Sequence, residues 1–254
     1  MAEELDVTVD AGVMTIRFNR PQALNALTRD TVIALNEALD RAAEEARAVI
    51  LTGDARAFCS GADVSAMTDG ELKGVGLDVI NEAIGKIRDL RVPTVAAVSG
   101  PAAGVGCSFA LICDYVIMSE KSYLMLAFTR IGLMPDGGST ALVAASAGRH
   151  RALRMALTGE KVHAAQAYDW GLATEVTAPE AYLTRAQEIA SQLAAGPTLA
   201  LGETEWAINQ ATLHELDAAL NREATGQDML KDSADAAEGV TAFLAKRTPE
   251  FRGS

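Results

Sequence analysis

A single acid interrupts the stretch "FTRIGLMPDGGST" at 128–140, where Asp136 stands between Pro135 and Gly137-Gly138 directly after an apolar run. A carboxylate in that setting has two possible uses. It can be a turn residue or the N-cap of a helix starting near Ser139, or it can be an acid–base group held between glycine walls. Two further loops offer backbone chemistry. "ARAFCSGADV" (55–64) and "GPAAGVGCSF" (100–109) place small residues after an apolar strand. Such residues let helix and strand approach closely, or they leave N–H groups open toward a ligand oxygen, where a helix N-terminus favours negative charge. A pair of loops of this kind is the raw material of a two-donor oxyanion hole.

Other chemistries find no residues to start from. In "GPAAGVGCSF" Phe109 stands where the dinucleotide fingerprint needs its third glycine, and no Lys-Ser/Thr follows as in a P-loop. His150, His163 and His214 are scattered without H-E-x-x-H spacing, so no metal site is expected. Cys59, Cys107 and Cys113 form no C-x-x-C pair and read as reduced packing thiols. A net charge of −12 argues against a nucleic-acid partner. The N-terminus has neither a basic n-region nor an apolar h-region, and no apolar run approaches the ~20 residues that span a bilayer. The expectation is a soluble, cytoplasmic protein without a membrane partner.

The elements that must position these loops follow from periodicity. "LDVTVD" and "VMTIRFN" alternate around Ala11-Gly12 as a hairpin. Thr28 is a plausible N-cap for a helix that leads to the strand "RAVILTG". A second helix is expected from about Lys73 to Leu90, then the strand "TVAAVSG", a short helix over "VGCSFALICD", and strands at "YVIMSE" and "SYLMLAF". Continuous apolar strands alternating with helices fit a parallel sheet covered on both faces. After Thr140 the pattern reads as all helix, around 141–157, 164–170, 180–195, 199–224 and 233–245. The class is α/β, with a core over 1–195 and a helical C-terminal region over 196–254.

"NRPQALNAL" (19–27), "AFCSGAD" (57–63), "GPAAGVGCSFALICD" (100–114), "IGLMPDGGST" (131–140) and "EGVTAFLAKRTPEF" (238–251), in this order, resemble the crotonase, or enoyl-CoA hydratase/isomerase, superfamily. The resemblance covers nearly the whole chain. Within it, the "PDGG" stretch and the C-terminal motif are most similar to the 2-(1,2-epoxy-1,2-dihydrophenyl)acetyl-CoA isomerases of phenylacetate degradation. It implies a spiral of repeated β-β-α units with a C-terminal helical region that assembles trimers or dimers of trimers. It also implies an acyl-CoA thioester as partner, with coenzyme A entering as part of the substrate and no separate cofactor. The oxyanion donors fall on the N–H groups of Ala62 and Val105, with the β-branched Val105 expected to narrow the pocket. Contacts to the CoA moiety fall on Ala23, Leu24, Ala62, Asp63, Val64, Gly104, Val105, Phe243 and Lys246. Lys246-Arg247 beside Phe243 is the clearest set of cations for the phosphates, with Arg20 and Arg56 nearer the first motifs.

Departures from the family pattern point to a reaction. Its hydratases carry two glutamates that hold and activate water; here those positions read Ser108 and, by the "FTRIGLMP" register, Arg130. Neither is a carboxylate, and an arginine stays protonated. Asp136 then remains as a lone proton shuttle, taking a proton from C2 of the acyl chain and returning it at C4. Isomerisation is therefore favoured, with hydration or non-catalytic acyl-CoA binding as the alternatives.

Overall fold

The computed structural model describes residues 4–67 and 75–254. Strand β1 (Leu5–Asp10) pairs antiparallel with β2 (Val13–Phe18), Asp10 lying opposite Val13. The turn between them places Ala11 and Gly12 at φ 47° and 82°, the handedness that matches strand twist. Thr28 caps α1 (Arg29–Glu45) reciprocally with Thr31. The chain continues through β3 (Ala48–Thr52), a 3-10 turn at Val64–Met67, α2 (Leu77–Asp89), β4 (Thr94–Val98), β5 (Pro101–Ala103) and α3 (Val105–Leu111). Next come β6 (Tyr115–Ser119), β7 (Tyr123–Met125) and a 3-10 turn at Phe128–Ile131. The Lys73 start expected for the second helix lies outside the described residues.

The remainder comprises α4 (Ser139–Ala147), α5 (Arg149–Thr158), β8 (Lys161–His163), α6 (Ala164–Asp169), β9 (Glu175–Thr177), α7 (Tyr182–Ala194), α8 (Thr198–Thr212), α9 (Leu216–Leu230) and α10 (Ala234–Leu244). The expectation of helix alone after Thr140 is thus corrected, because β8 and β9 are too short to leave a period in the sequence. Gly148, at φ 82°, divides the helical stretch 141–157 into α4 and α5. The 199–224 stretch is likewise two helices, separated around His214.

Strand order in the main sheet is β1-β2-β3-β4-β6-β9, parallel after the first pair, and β5-β7-β8 form a small second sheet. Val49, Leu51, Ala96 and Val98 face the large core. Their neighbours Ala48, Ile50, Val95 and Ala97 face Tyr182, Ala186, Ala190 and Ala194 of α7. Both faces being covered explains why β3 and β4 are apolar without alternation.

The C-terminal helices return to their own chain: α8 packs on α2, α9 on α4, and α10 on the turns at 128–131 and 64–67. Among the described residues no helix is long and apolar enough to cross a membrane, and no group of three His, Cys, Asp or Glu could hold a metal ion.

Candidate active site

The loop after β3 is held by the loop before α1. Leu27 donates its N–H to the Gly61 carbonyl and accepts from the Asp63 N–H, both at 2.8 Å. In a parallel bridge of this type the intervening residue points its own amide the other way, so the Ala62 N–H faces away from Leu27. Ser60 donates its N–H to the Leu24 carbonyl and its hydroxyl to the Ala23 carbonyl, which fixes the backbone of both residues. Asp63 is ion-paired with Arg20 at 3.0 Å and accepts from the Ser65 hydroxyl at 2.6 Å. Its carboxylate therefore braces the loop, as Arg20 does through a second pair with Glu4 at 3.1 Å. Val64 opens the 3-10 turn that α10 covers.

Gly104 adopts φ 55° and ψ −133°, open only to glycine, and starts α3 with Val105 in its first turn. Neither the Ala62 nor the Val105 N–H has a hydrogen-bond acceptor among the described residues. The two loops touch: a Cβ on Gly61 would stand 2.9 Å from the Ala103 carbonyl oxygen, and one on Gly104 would stand 3.6 Å from the Gly61 Cα. Gly106 serves close packing instead, its Cα lying flush against Cys59. The cysteines are free and buried, and burial pushes the Cys59 and Cys107 thiols up to about 12.

Asp136 is 8% exposed at the wall of a cavity of about 360 Å³. Ala62, Val75, Leu77, Ile80, Leu133, Ala224 and Gln227 line the same cavity, with Asp78, Asp228 and Lys231 among its polar residues. The helix-cap reading of Asp136 does not hold, since α4 has no side-chain cap at its own N-terminus. Glu223 of α9 satisfies that end by accepting the Gly138 N–H at 2.7 Å, and the Thr140 N–H and hydroxyl at 3.0 and 2.5 Å. The Asp136 side chain is left for other use. Its Oδ2 accepts from the Gln227 Nε2 at 2.7 Å, and its Oδ1 has no partner. Burial raises the Asp136 carboxyl to about 7, against the Gln227 hydrogen bond that lowers it and with the Glu223 charge adding to the rise.

Val105 is 2% exposed, and its Cγ2 lies 3.1 Å from where a Cβ on Gly137 would sit, so its side chain packs against the Asp136 turn. Ser108 is fully buried and donates its hydroxyl to the Asp136 carbonyl at 3.1 Å. Arg130 is exposed beside Gly159 and lies outside the cavity lining. The residue of that segment facing the second loop is Phe128, whose Cζ is 3.8 Å from a Cβ built on Gly104. The inward-facing residue of the 3-10 turn at 128–131 is thus Phe128, two positions before the Arg130 of the expected register. Phe128 is not a carboxylate either.

Phe243, 58% exposed on α10, and the exposed Lys246 stand apart from the cavity lining. Arg247 is bound to Glu238 through two contacts at 2.6 and 2.7 Å, whereas Lys246 has no ion pair among the described residues. Gln227 and Glu223 went unrecognised in the sequence although they bring α9 into the site.

Residues 8–254 match the family model for enoyl-CoA hydratase/isomerase. The chain is 38% identical to the 1,2-epoxyphenylacetyl-CoA isomerase of Escherichia coli K12, covering 96% of this chain and 97% of that one. It is 40% identical to a probable enoyl-CoA hydratase of Rhodobacter capsulatus, covering 96% of each. The crystal structure of an enoyl-CoA hydratase from Mycobacterium avium subsp. paratuberculosis superposes with a TM-score of 0.91 at 45% identity, over 98% of this chain and 99% of that one. With its fold, its paired glycine loops and these likenesses over nearly its full length, the chain belongs to the enoyl-CoA hydratase/isomerase, or crotonase, family.

Proposed function

We propose that the protein is an acyl-CoA isomerase that moves a double bond from the 3-enoyl to the 2-enoyl position or isomerises a ring-epoxide acyl-CoA. In the double-bond reaction Asp136 Oδ1 takes a proton from C2. The electrons of that C–H bond pass toward the thioester oxygen, whose negative charge the N–H groups of Ala62 and Val105 receive. The protonated Asp136 then delivers the proton to C4, and the double bond re-forms between C2 and C3. The observation that carries this reading is the Asp136 carboxyl: buried in an apolar wall, free at Oδ1 and raised to about 7, where a group can both take and give a proton. Similarity to the Escherichia coli isomerase supports the ring-epoxide arm.

Hydration is the second reading, favoured by the likeness to the Rhodobacter capsulatus protein. It needs a second acid–base group for water, and Ser108 and Phe128 supply none. Ala23, Leu24, Val64, Gly104, Phe243 and Lys246 are proposed to hold the CoA moiety, with Asp63 contributing backbone only. A trimer or dimer of trimers is proposed as the working assembly; a light-scattering mass near 26.6 kDa at micromolar concentration would sink that part.

Crotonyl-CoA, a 3-enoyl-CoA and a ring-epoxide CoA assayed side by side, with wild type and Asp136→Asn, test the activity. Asp136→Asn is expected to lose roughly 10²–10⁴-fold in isomerisation while still binding a saturated acyl-CoA. Full isomerase activity in that variant would place the base elsewhere.

A further inference from the structure

Helix α9 carries Glu223 and Gln227 four residues apart, on one face, and both reach the turn that holds Asp136. Each does so from burial, at 1% and 8% exposure. Gln227 uses its Nε2 twice, donating to the Met134 carbonyl at 2.8 Å and to Asp136 Oδ2 at 2.7 Å. The reverse amide orientation would set Oε1 against those same two acceptors, so one orientation is enforced. The result is an asymmetric carboxylate, with Oδ2 occupied and Oδ1 unpartnered. Glu223 lies beside it as a buried charge held by the backbone of Gly138 and by Thr140.

We propose that Gln227 and Glu223 are positioning residues that set the acid–base behaviour of Asp136 in opposite senses. Gln227 confines proton transfer to Oδ1 and favours the ionised carboxylate, whereas Glu223 fixes the turn and opposes ionisation through its charge. This rests on the proposed role of Asp136 as proton carrier. The other groups facing Asp136 are few. From α3 comes the neutral Ser108, whose hydroxyl is engaged by the Asp136 carbonyl. At the cavity wall Asp78 of α2 is paired with Arg29 at 2.6 Å, and Asp228 of α9 is paired with Lys231 at 2.8 Å. These pairs are close to neutral as units; among the described residues Glu223, whose nearest opposite charge is the exposed Arg222 paired with Glu215 at 3.3 Å, is the buried carboxylate that acts on Asp136.

The test compares Gln227→Met, which keeps length and removes the amide, with Glu223→Gln, which removes the charge and, with an NH2 in place of one accepting oxygen, one of the backbone hydrogen bonds from Gly138 or Thr140. Two readouts are followed against pH: kcat and KM for a 3-enoyl-CoA, and the titration of the Asp136 carboxyl by ¹³C NMR, assigned with Asp136→Asn. In Gln227→Met the acid limb and the carboxyl titration both move to higher pH, and kcat at pH 7 falls roughly 10- to 100-fold with KM little changed, as for loss of a hydrogen bond to a charged group. In Glu223→Gln both move to lower pH. Saturated acyl-CoA binding shows that each variant is folded. If either variant fails that check, the remaining one still decides by the sign of its shift. Wild-type limb and titration that coincide, with neither moved by a folded variant, overturn the proposal for Gln227 and Glu223 alone. A wild-type acid limb that does not coincide with the Asp136 titration instead overturns Asp136 as the proton carrier.

Discussion

The Ser108 hydroxyl donates to the main-chain carbonyl of Asp136 at 3.1 Å, across 28 residues of sequence. Where family hydratases are implied to carry a water-activating glutamate, this chain has a hydroxyl that supports the turn bearing Asp136, the one cavity-lining acid among the described residues that has no charged partner. With Asp136 as the proposed proton carrier, Ser108 is left the supporting role.

That division predicts slow hydration. Turnover of crotonyl-CoA to its hydroxyacyl product should fall well below the median enzyme kcat of ~10 s⁻¹. Ser108→Ala should cost about 1 kcal/mol of stability and keep isomerisation within about tenfold of wild type. If Ser108→Ala were as inactive as Asp136→Asn, the hydroxyl itself would be carrying a proton.

Asp136 also makes a thermodynamic prediction. Its carboxyl is raised to about 7 in the folded protein, so the native state holds this proton more tightly than the unfolded chain, where Asp titrates near ~3.9. The stability it contributes is complete below about pH 4 and is lost as pH rises through about 7. Asp136→Asn should therefore melt close to wild type at pH 4 and well above it at pH 8, by an amount on the order of 4 kcal/mol at most. Thermal melts that keep the same difference at both pH values would contradict the raised carboxyl.

Lys246→Ala should weaken binding of CoA thioesters and leave that of N-acetylcysteamine thioesters unchanged, because only the former carry phosphates. The loss should shrink as salt rises, as expected of an exposed charge. Equal loss for both thioesters would assign Lys246 a structural role at the end of α10.

This acid is legible in the sequence because Asp136 breaks an apolar run, and a charge there has few structural excuses. The uninterrupted strands β3 and β4 were legible for the same physical reason, that residues buried on both faces leave no alternation. Gln227 was not legible as a site residue, being distant in sequence and set in an ordinary amphipathic helix. A signal did exist in the buried stripe Leu216, Ala219, Leu220, Glu223 and Gln227, where two polar residues occupy core-facing positions. Phe128 escaped because register in a 3-10 turn cannot be counted as in a strand. The three-residue strands β8 and β9 carry no detectable period at all.

The contact between Gly61 and the Ala103-Gly104 backbone has a further consequence. The amides of Ala62 and Val105 are spaced by main chain resting on main chain, with no side chain interposed. Their separation is insensitive to most substitutions around them, so, with these amides as the proposed donors, exchanges at Val75, Ile80 or Leu133 are expected to alter the acyl fit without moving them. The joint's one vulnerability is the loss of either glycine. A single methyl group at Gly61 would push the loops apart, and no neighbouring substitution could restore the fit.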